Sequence, residues 1–112
     1  MKSINIKFVN KKNKLSTVSN FRSEDSDFDI INFFTQCVNT LEEVKDFKRL
    51  IFKHGKTYDH NVLNVDIYNK TITITTVADD IIDIPKDFLQ EMINDWENFL
   101  KNKKAFTKEY FI

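Results

Sequence analysis

The sequence predicts an α+β domain in which an antiparallel or mixed β-sheet, built from two hairpins, carries helices packed on one face in the order ββαββα. Three observations predict it. Residues 84–100 place Phe88, Leu89, Met92, Ile93, Trp96, Phe99 and Leu100 at the three- and four-residue spacing of a helix face. Residues 62–68 and 71–77 alternate apolar and polar side chains and are rich in Val, Ile and Thr, the pattern of paired strands. Ile4, Ile6 and Phe8 alternate with Ser3, Asn5 and Lys7 in the same way. Hairpins and helices in that succession favour an antiparallel or mixed sheet.

The first hairpin turns at residues 10–13 and returns through residues 15–21, where Thr17 and Val18 are the strand formers. Its lysines suit a solvated sheet face that discourages edge pairing. Residues 23–29, SEDSDFD, form an acidic connector, with Ser26 as the expected helix cap and Asp27 and Asp29 in the first turn. Ile30, Phe34, Cys37, Leu41, Val44, Phe47 and Ile51 then step by four and three, with Ile31 and Val38 widening the stripe. Thr40 and Glu43 match a capping box, so this helix is expected to break at Asn39 and Thr40. Residues 48–53 read as helix in preference to a short strand, ending at Lys53, His54 and Gly55. Asn69 and Lys70 make the second hairpin turn, and Pro85 suits the first turn of the final helix. Phe106, Tyr110 and Phe111 give the tail the means to dock.

The chain has 112 residues, enough for one domain with one core, and its eleven phenylalanines make that core aromatic. Formal net charge is zero, which argues against binding nucleic acid or anionic membrane through bulk positive charge. The distribution is uneven. Residues 1–22 hold six cations and no acid, whereas residues 79–97 hold seven acids against Lys86. One cysteine excludes an internal disulfide, and no apolar run approaches bilayer length. The start MKSINIKFVNKKNK lacks the apolar stretch of a signal peptide, so a cytoplasmic location is expected.

Enzyme motifs are missing. With Gly55 as the single glycine, neither a phosphate loop nor a dinucleotide fingerprint nor a nucleophile elbow can be written. The chain is therefore read as a non-enzyme with no cofactor and no metal. Cys37 lies on the apolar stripe, where it acts as a small hydrophobe. His54, His60 and Asp59 could ligate a transition metal, but their spacing matches no zinc signature and the cap and loop roles are preferred. Asp79, Asp80 and Asp83 lack the glycine and glutamate of a calcium loop and read as a solvated turn. Asp87, Glu91 and Asp95 form a like-charge row at i, i+4 that disfavours the isolated helix by a few tenths of a kcal/mol per pair. Either cations from elsewhere in the fold lie near this row, or it waits for a positively charged partner.

An aromatic first helix, a Val/Ile/Thr hairpin, and Ile82-Asp83-Ile84-Pro85 leading into Phe88, Trp96, Phe99 and Leu100 resemble small bacterial immunity proteins. These accompany polymorphic or contact-dependent growth-inhibition toxins. The resemblance covers the C-terminal half and rests on apolar spacing and one Pro/Trp pair. It implies a cytoplasmic inhibitor whose partner is the C-terminal domain of a cognate toxin, with no membrane and no direct nucleic-acid contact. A nuclease such as a tRNase is the favoured toxin, because an acidic surface can occupy a basic RNA groove. On that implication Asp79, Asp80, Asp83, Asp87, Glu91 and Asp95 make first contact, with Glu24, Asp25 and Asp27 as a second patch. The competing expectation is a nucleic-acid or adaptor module using Lys7, Lys11, Lys12, Lys14 and Arg22.

Overall fold

The backbone begins with an antiparallel pair, β1 (Ser3–Lys11) and β2 (Lys14–Ser19), joined by Lys12 and Asn13. Both turn residues have positive φ, 51° and 68°, the mirror-image turn whose twist matches that of the flanking strands. Asn13 is tied down by its own N–H, which donates to Asn10 Oδ1 at 2.8 Å. A computed structural model describes residues 3–22 and 28–112, and the expected Ser26 cap lies outside the described residues.

Asp29, the last residue of the acidic connector and expected in the first turn, instead caps helix α1 (Ile30–Cys37), its carboxylate accepting from Asn32 N–H at 3.0 Å. The same carboxylate accepts from Ser19 N–H at 2.8 Å and Ser19 Oγ at 2.7 Å, and pairs with Arg22 at 2.9 Å. Thr17 and Thr35 hydroxyls meet at 2.8 Å in the buried seam between β2 and α1. The helix stops at Val38, and α2 (Leu41–Phe47) starts behind the predicted capping box. Glu43 N–H donates to Thr40 Oγ1 at 3.1 Å, and that hydroxyl donates to Glu43 Oε1 at 3.0 Å. Residues Lys48–Lys53 continue as a π-helical turn, a rare i→i+5 geometry found as single turns. It closes with His54 N–H on Arg49 O at 3.0 Å and Lys56 N–H on Leu50 O at 2.7 Å, across Gly55 at φ 61°.

A second sheet follows: β3 (Tyr58–Asp59), β4 (Leu63–Tyr68), β5 (Thr71–Thr76) and β6 (Ile81–Pro85), paired antiparallel in sequence order. Pro85 sits just before α3 (Lys86–Asn102), which ends with Lys103 in the left-handed region at φ 60°. The chain then returns as β7 (Phe106–Phe111) alongside β1, completing a three-stranded sheet in the order β2-β1-β7.

The architecture is thus α+β with antiparallel sheets and helices packed against them. It differs from the ββαββα expectation in having two sheets. The short β3, the β6 strand and the C-terminal β7 supply the difference, and β7 is the docked form of the apolar tail. The cause is edge satisfaction: β5 and β1 each have two edges, and β6 and β7 pair with the edges that the two hairpins leave open.

One contiguous core draws on the inner faces of both sheets and on all the helices. Every residue of the predicted first-helix stripe except Leu41, which is half-buried, is buried, and so is the α3 face from Phe88 to Phe99. Phe8 organises the α3 contact with the first sheet. It stacks on Phe106 at 4.2 Å between centroids and meets Phe99 edge-on at 5.6 Å. A second aromatic set, Phe34, Phe47, Phe52 and Tyr58, joins α1, α2, the π turn and β3. Trp96 is fully buried, and its indole N–H donates to Val38 O at 2.7 Å, at the α1–α2 break. No helix of the described residues is long and apolar enough to cross a membrane.

The capping box makes a quantitative prediction. Thr40→Ala should cost about 1 kcal/mol in urea denaturation, because it strips the cap from the Glu43 N–H while leaving the core unchanged.

Candidate partner-binding surface

The acids predicted as a single patch separate into two groups. On α3, Asp87 is exposed, but Glu91 and Asp95 are held by Lys108 of β7, at 3.0 Å and 2.8 Å. Asp95 also accepts from Tyr110 Oη at 2.7 Å. The pairing of β7 with β1, Ile6 opposite Lys108 and Ile4 opposite Tyr110, brings both donors to this helix flank. The like-charge row therefore has an intramolecular cation, supplied from the sheet. Hydrogen bonding to Asp95 raises the Lys108 pKa. Burial, followed by the same carboxylate, drives the Tyr110 phenol well above its ordinary value.

The second group lies on the outer face of the four-stranded sheet. Along β4, β5 and β6, Leu63, Val65, Ile72, Ile74, Thr76 and Ile84 point inward and are buried. Their alternates point outward. Across the strands Asp66 lies opposite Thr73, which lies opposite Asp83, giving one row of carboxylate, hydroxyl, carboxylate. Thr73 donates to Asp83, and Thr57 donates to Asp66 at 3.2 Å. In the neighbouring rows Tyr68 stands beside Thr71 and Pro85, and Asn64 beside Thr75 and Ile81. Tyr68 and Ile81 are 61% and 62% exposed, large apolar surfaces for a sheet face left open by the described residues.

Asp79 and Asp80 flank this face in the β5–β6 turn. Asp79 adopts φ 64°, which aspartate tolerates, and its N–H donates to Thr76 O at 3.0 Å. Asp80 N–H donates to Thr76 Oγ1 at 3.2 Å, so Thr76 holds the turn through both its carbonyl and its hydroxyl. Among the described residues, Asp66, Asp79, Asp80 and Asp83 make no ion pair. Glu24, Asp25 and Asp27 lie outside the described residues.

Asp66 was not among the predicted contact residues. Its position depends on β6 pairing with β5, since only that register sets Asp83 two strands away in the same row. The alternation of Ile82 and Ile84 around Asp83 was the available signal for that strand.

Lys7 sits on the outer face of the first sheet, Lys11, Lys12 and Lys14 cluster at its hairpin, and Arg22 is engaged with Asp29. Cys37 is buried, and desolvation followed by Glu43 raises its thiol pKa, which keeps it a neutral thiol. His60 Nδ1 accepts from Val62 N–H at 3.4 Å, and His54 terminates the π turn. No group of three or more His, Cys, Asp or Glu among the described residues is arranged to hold a metal ion. Compared with family models, curated proteins and solved structures, the chain matches none.

Tyr110 and Lys108 both hold their protons more tightly folded than unfolded. Their stabilisation is complete below their ordinary pKa values of 10.0 and 10.5 and is lost as pH rises through and beyond them. The buried Cys37 thiol and the Tyr58 phenol, raised in the same sense, add to this from about pH 9 upward, so stability should hold from neutral pH to about pH 8, begin to fall near pH 9 and fall steeply above about pH 10. Tyr110→Phe should remove about 1 kcal/mol at neutral pH and make the alkaline fall shallower, both read by chemical denaturation across pH.

Proposed function

We propose that this chain is an immunity-type inhibitor, a cytoplasmic protein that binds the C-terminal domain of a cognate toxin and blocks its active site or substrate surface. The observation that carries the reading is the uncovered outer face of the four-stranded sheet. There Asp66 and Asp83 share a row, Asp79 and Asp80 stand at the adjoining turn, and exposed Tyr68 and Ile81 lie in the neighbouring rows. Uncompensated acids speed encounter with a basic protein and select its register. An aromatic anchor on the same face supplies the apolar contact that charge alone does not. A basic partner groove of this kind belongs to an RNA-cutting domain, so a nuclease toxin such as a tRNase is the favoured class. The face is built on strands, and a rigid inhibitor avoids much of the ordering cost of binding.

Within the acidic set, weight moves toward Asp79, Asp80 and Asp83, joined by Asp66. Asp87 remains an accessible flanking contact, whereas Glu91 and Asp95 serve first to hold β7 against α3.

A second reading has one specific observation behind it. Lys7, Lys11, Lys12 and Lys14 make no ion pair among the described residues, so the first hairpin presents free cations for a phosphate backbone. Salt-dependent RNA binding by the purified protein, lost on replacing Lys11, Lys12 and Lys14 by Glu, would favour it.

Co-expression with the toxin encoded beside this gene tests the leading reading: rescue of growth is expected, and failure to rescue counts against it. In the purified complex, the triple variant Asp66→Lys, Asp80→Lys, Asp83→Lys should cut the association rate by about tenfold or more and weaken its salt dependence. Unchanged kinetics would remove this face from the account.

A further inference from the structure

A second surface, of opposite charge, lies between α2 with its π turn and α3. Lys45, Lys48, Arg49 and Lys53 line one side of an open groove, Phe52 is half-buried among them, and Gln90 and Glu97 form the α3 wall. The cations recur at i, i+3, i+4 and i+8 through the end of α2 and the π turn, and all four line the same groove. Lys48 is fixed by Glu97 at 3.1 Å, which ties the two walls together. Arg49 reaches Asp46 at 3.6 Å with both side chains more than half exposed, a pair too weakly held to occupy the guanidinium. Lys45 and Lys53 are exposed and make no ion pair among the described residues.

We propose that this groove is a docking site for an acidic amphipathic helix of a partner protein, a surface separate from the acidic sheet face and independent of the function assigned to it. Two neighbouring helices with a shallow cleft between them are the receptor form of helix-in-groove recognition. Phe52 and the aliphatic stems of the lysines provide an apolar floor, and the charged heads form a cationic rim. Such a rim selects carboxylates over lysines at the helix flanks. A nucleic acid fits the same charge less well. Three available cations give only about two units of salt slope on a single strand, too little for useful affinity at physiological salt. The apolar floor instead rewards leucine or phenylalanine at i, i+3, i+4 and i+7 of an incoming helix.

Fluorescence anisotropy with the whole protein tests this. The probe is a labelled peptide of roughly 14 residues, long enough as a helix to span the groove, with leucines at helical spacing and glutamates on either side. Its affinity should fall about tenfold in Lys45→Glu/Lys53→Glu, and it should be unchanged in Lys70→Glu/Lys104→Glu, which makes the same charge change at exposed positions elsewhere. Amide shift changes on binding should fall on residues 45–53 and 90–97. Absence of peptide binding at low salt, or equal losses in the two double variants, would overturn the proposal. So would binding of an oligouridylate that depends on Lys45 and Lys53 while the peptide stays unbound.

Discussion

The hydrogen bond from Trp96 to the Val38 carbonyl is the constraint on which the rest of the fold depends. A buried indole N–H needs an acceptor, and a helix end leaves carbonyls without intrahelical donors. Each supplies what the other lacks, 58 residues apart in sequence. The break between α1 and α2 is therefore a socket for α3 as well as a change of direction. Thr40 starts the next helix immediately, so the interruption costs few unsatisfied groups.

With its apolar face fixed in this way, α3 offers a different flank to each neighbour. One flank carries Glu91 and Asp95 to Lys108 and Tyr110, fastening the three-stranded sheet. The other carries Glu97 to Lys48, fastening α2 and the π turn. Asp29 plays the corresponding part at the start of α1, gathering the β2 end and Arg22 around one carboxylate. Much of the chain's acidity is thus spent on architecture. Among the described residues, acids outside these pairs gather on the outer face of the second sheet, and unpaired cations stand at the first hairpin and along the α2 groove as well as at Lys70, Lys86 and the end of α3.

Local periodicity made the two long apolar stripes, the Thr40 capping box and the Gly55 stop legible, because each depends on residues within one or two turns of each other. The positions of β6 and β7 were hidden, since strand pairing is decided by edges contributed from far along the chain. That is why the acid row on α3 looked unpartnered: its cation, Lys108, arrives only when the tail pairs with β1. It is also why Asp66 escaped notice. A face built from three strands becomes visible only once their register is known. The α2 groove was hidden for a related reason, since its cations were legible as a helix face but its second wall comes from α3.

The Trp96 interlock makes the two sheets and the helices one cooperative unit, and this unit holds the outer sheet face rigid. Urea denaturation of Trp96→Phe, with hydrogen exchange followed separately in β1 and β5, tests it most directly. A loss of roughly 2–4 kcal/mol is expected, from the orphaned Val38 carbonyl and the lost packing, felt equally in both sheets. A loss below about 0.5 kcal/mol, or exposure of one sheet while the other keeps its protection, would contradict it.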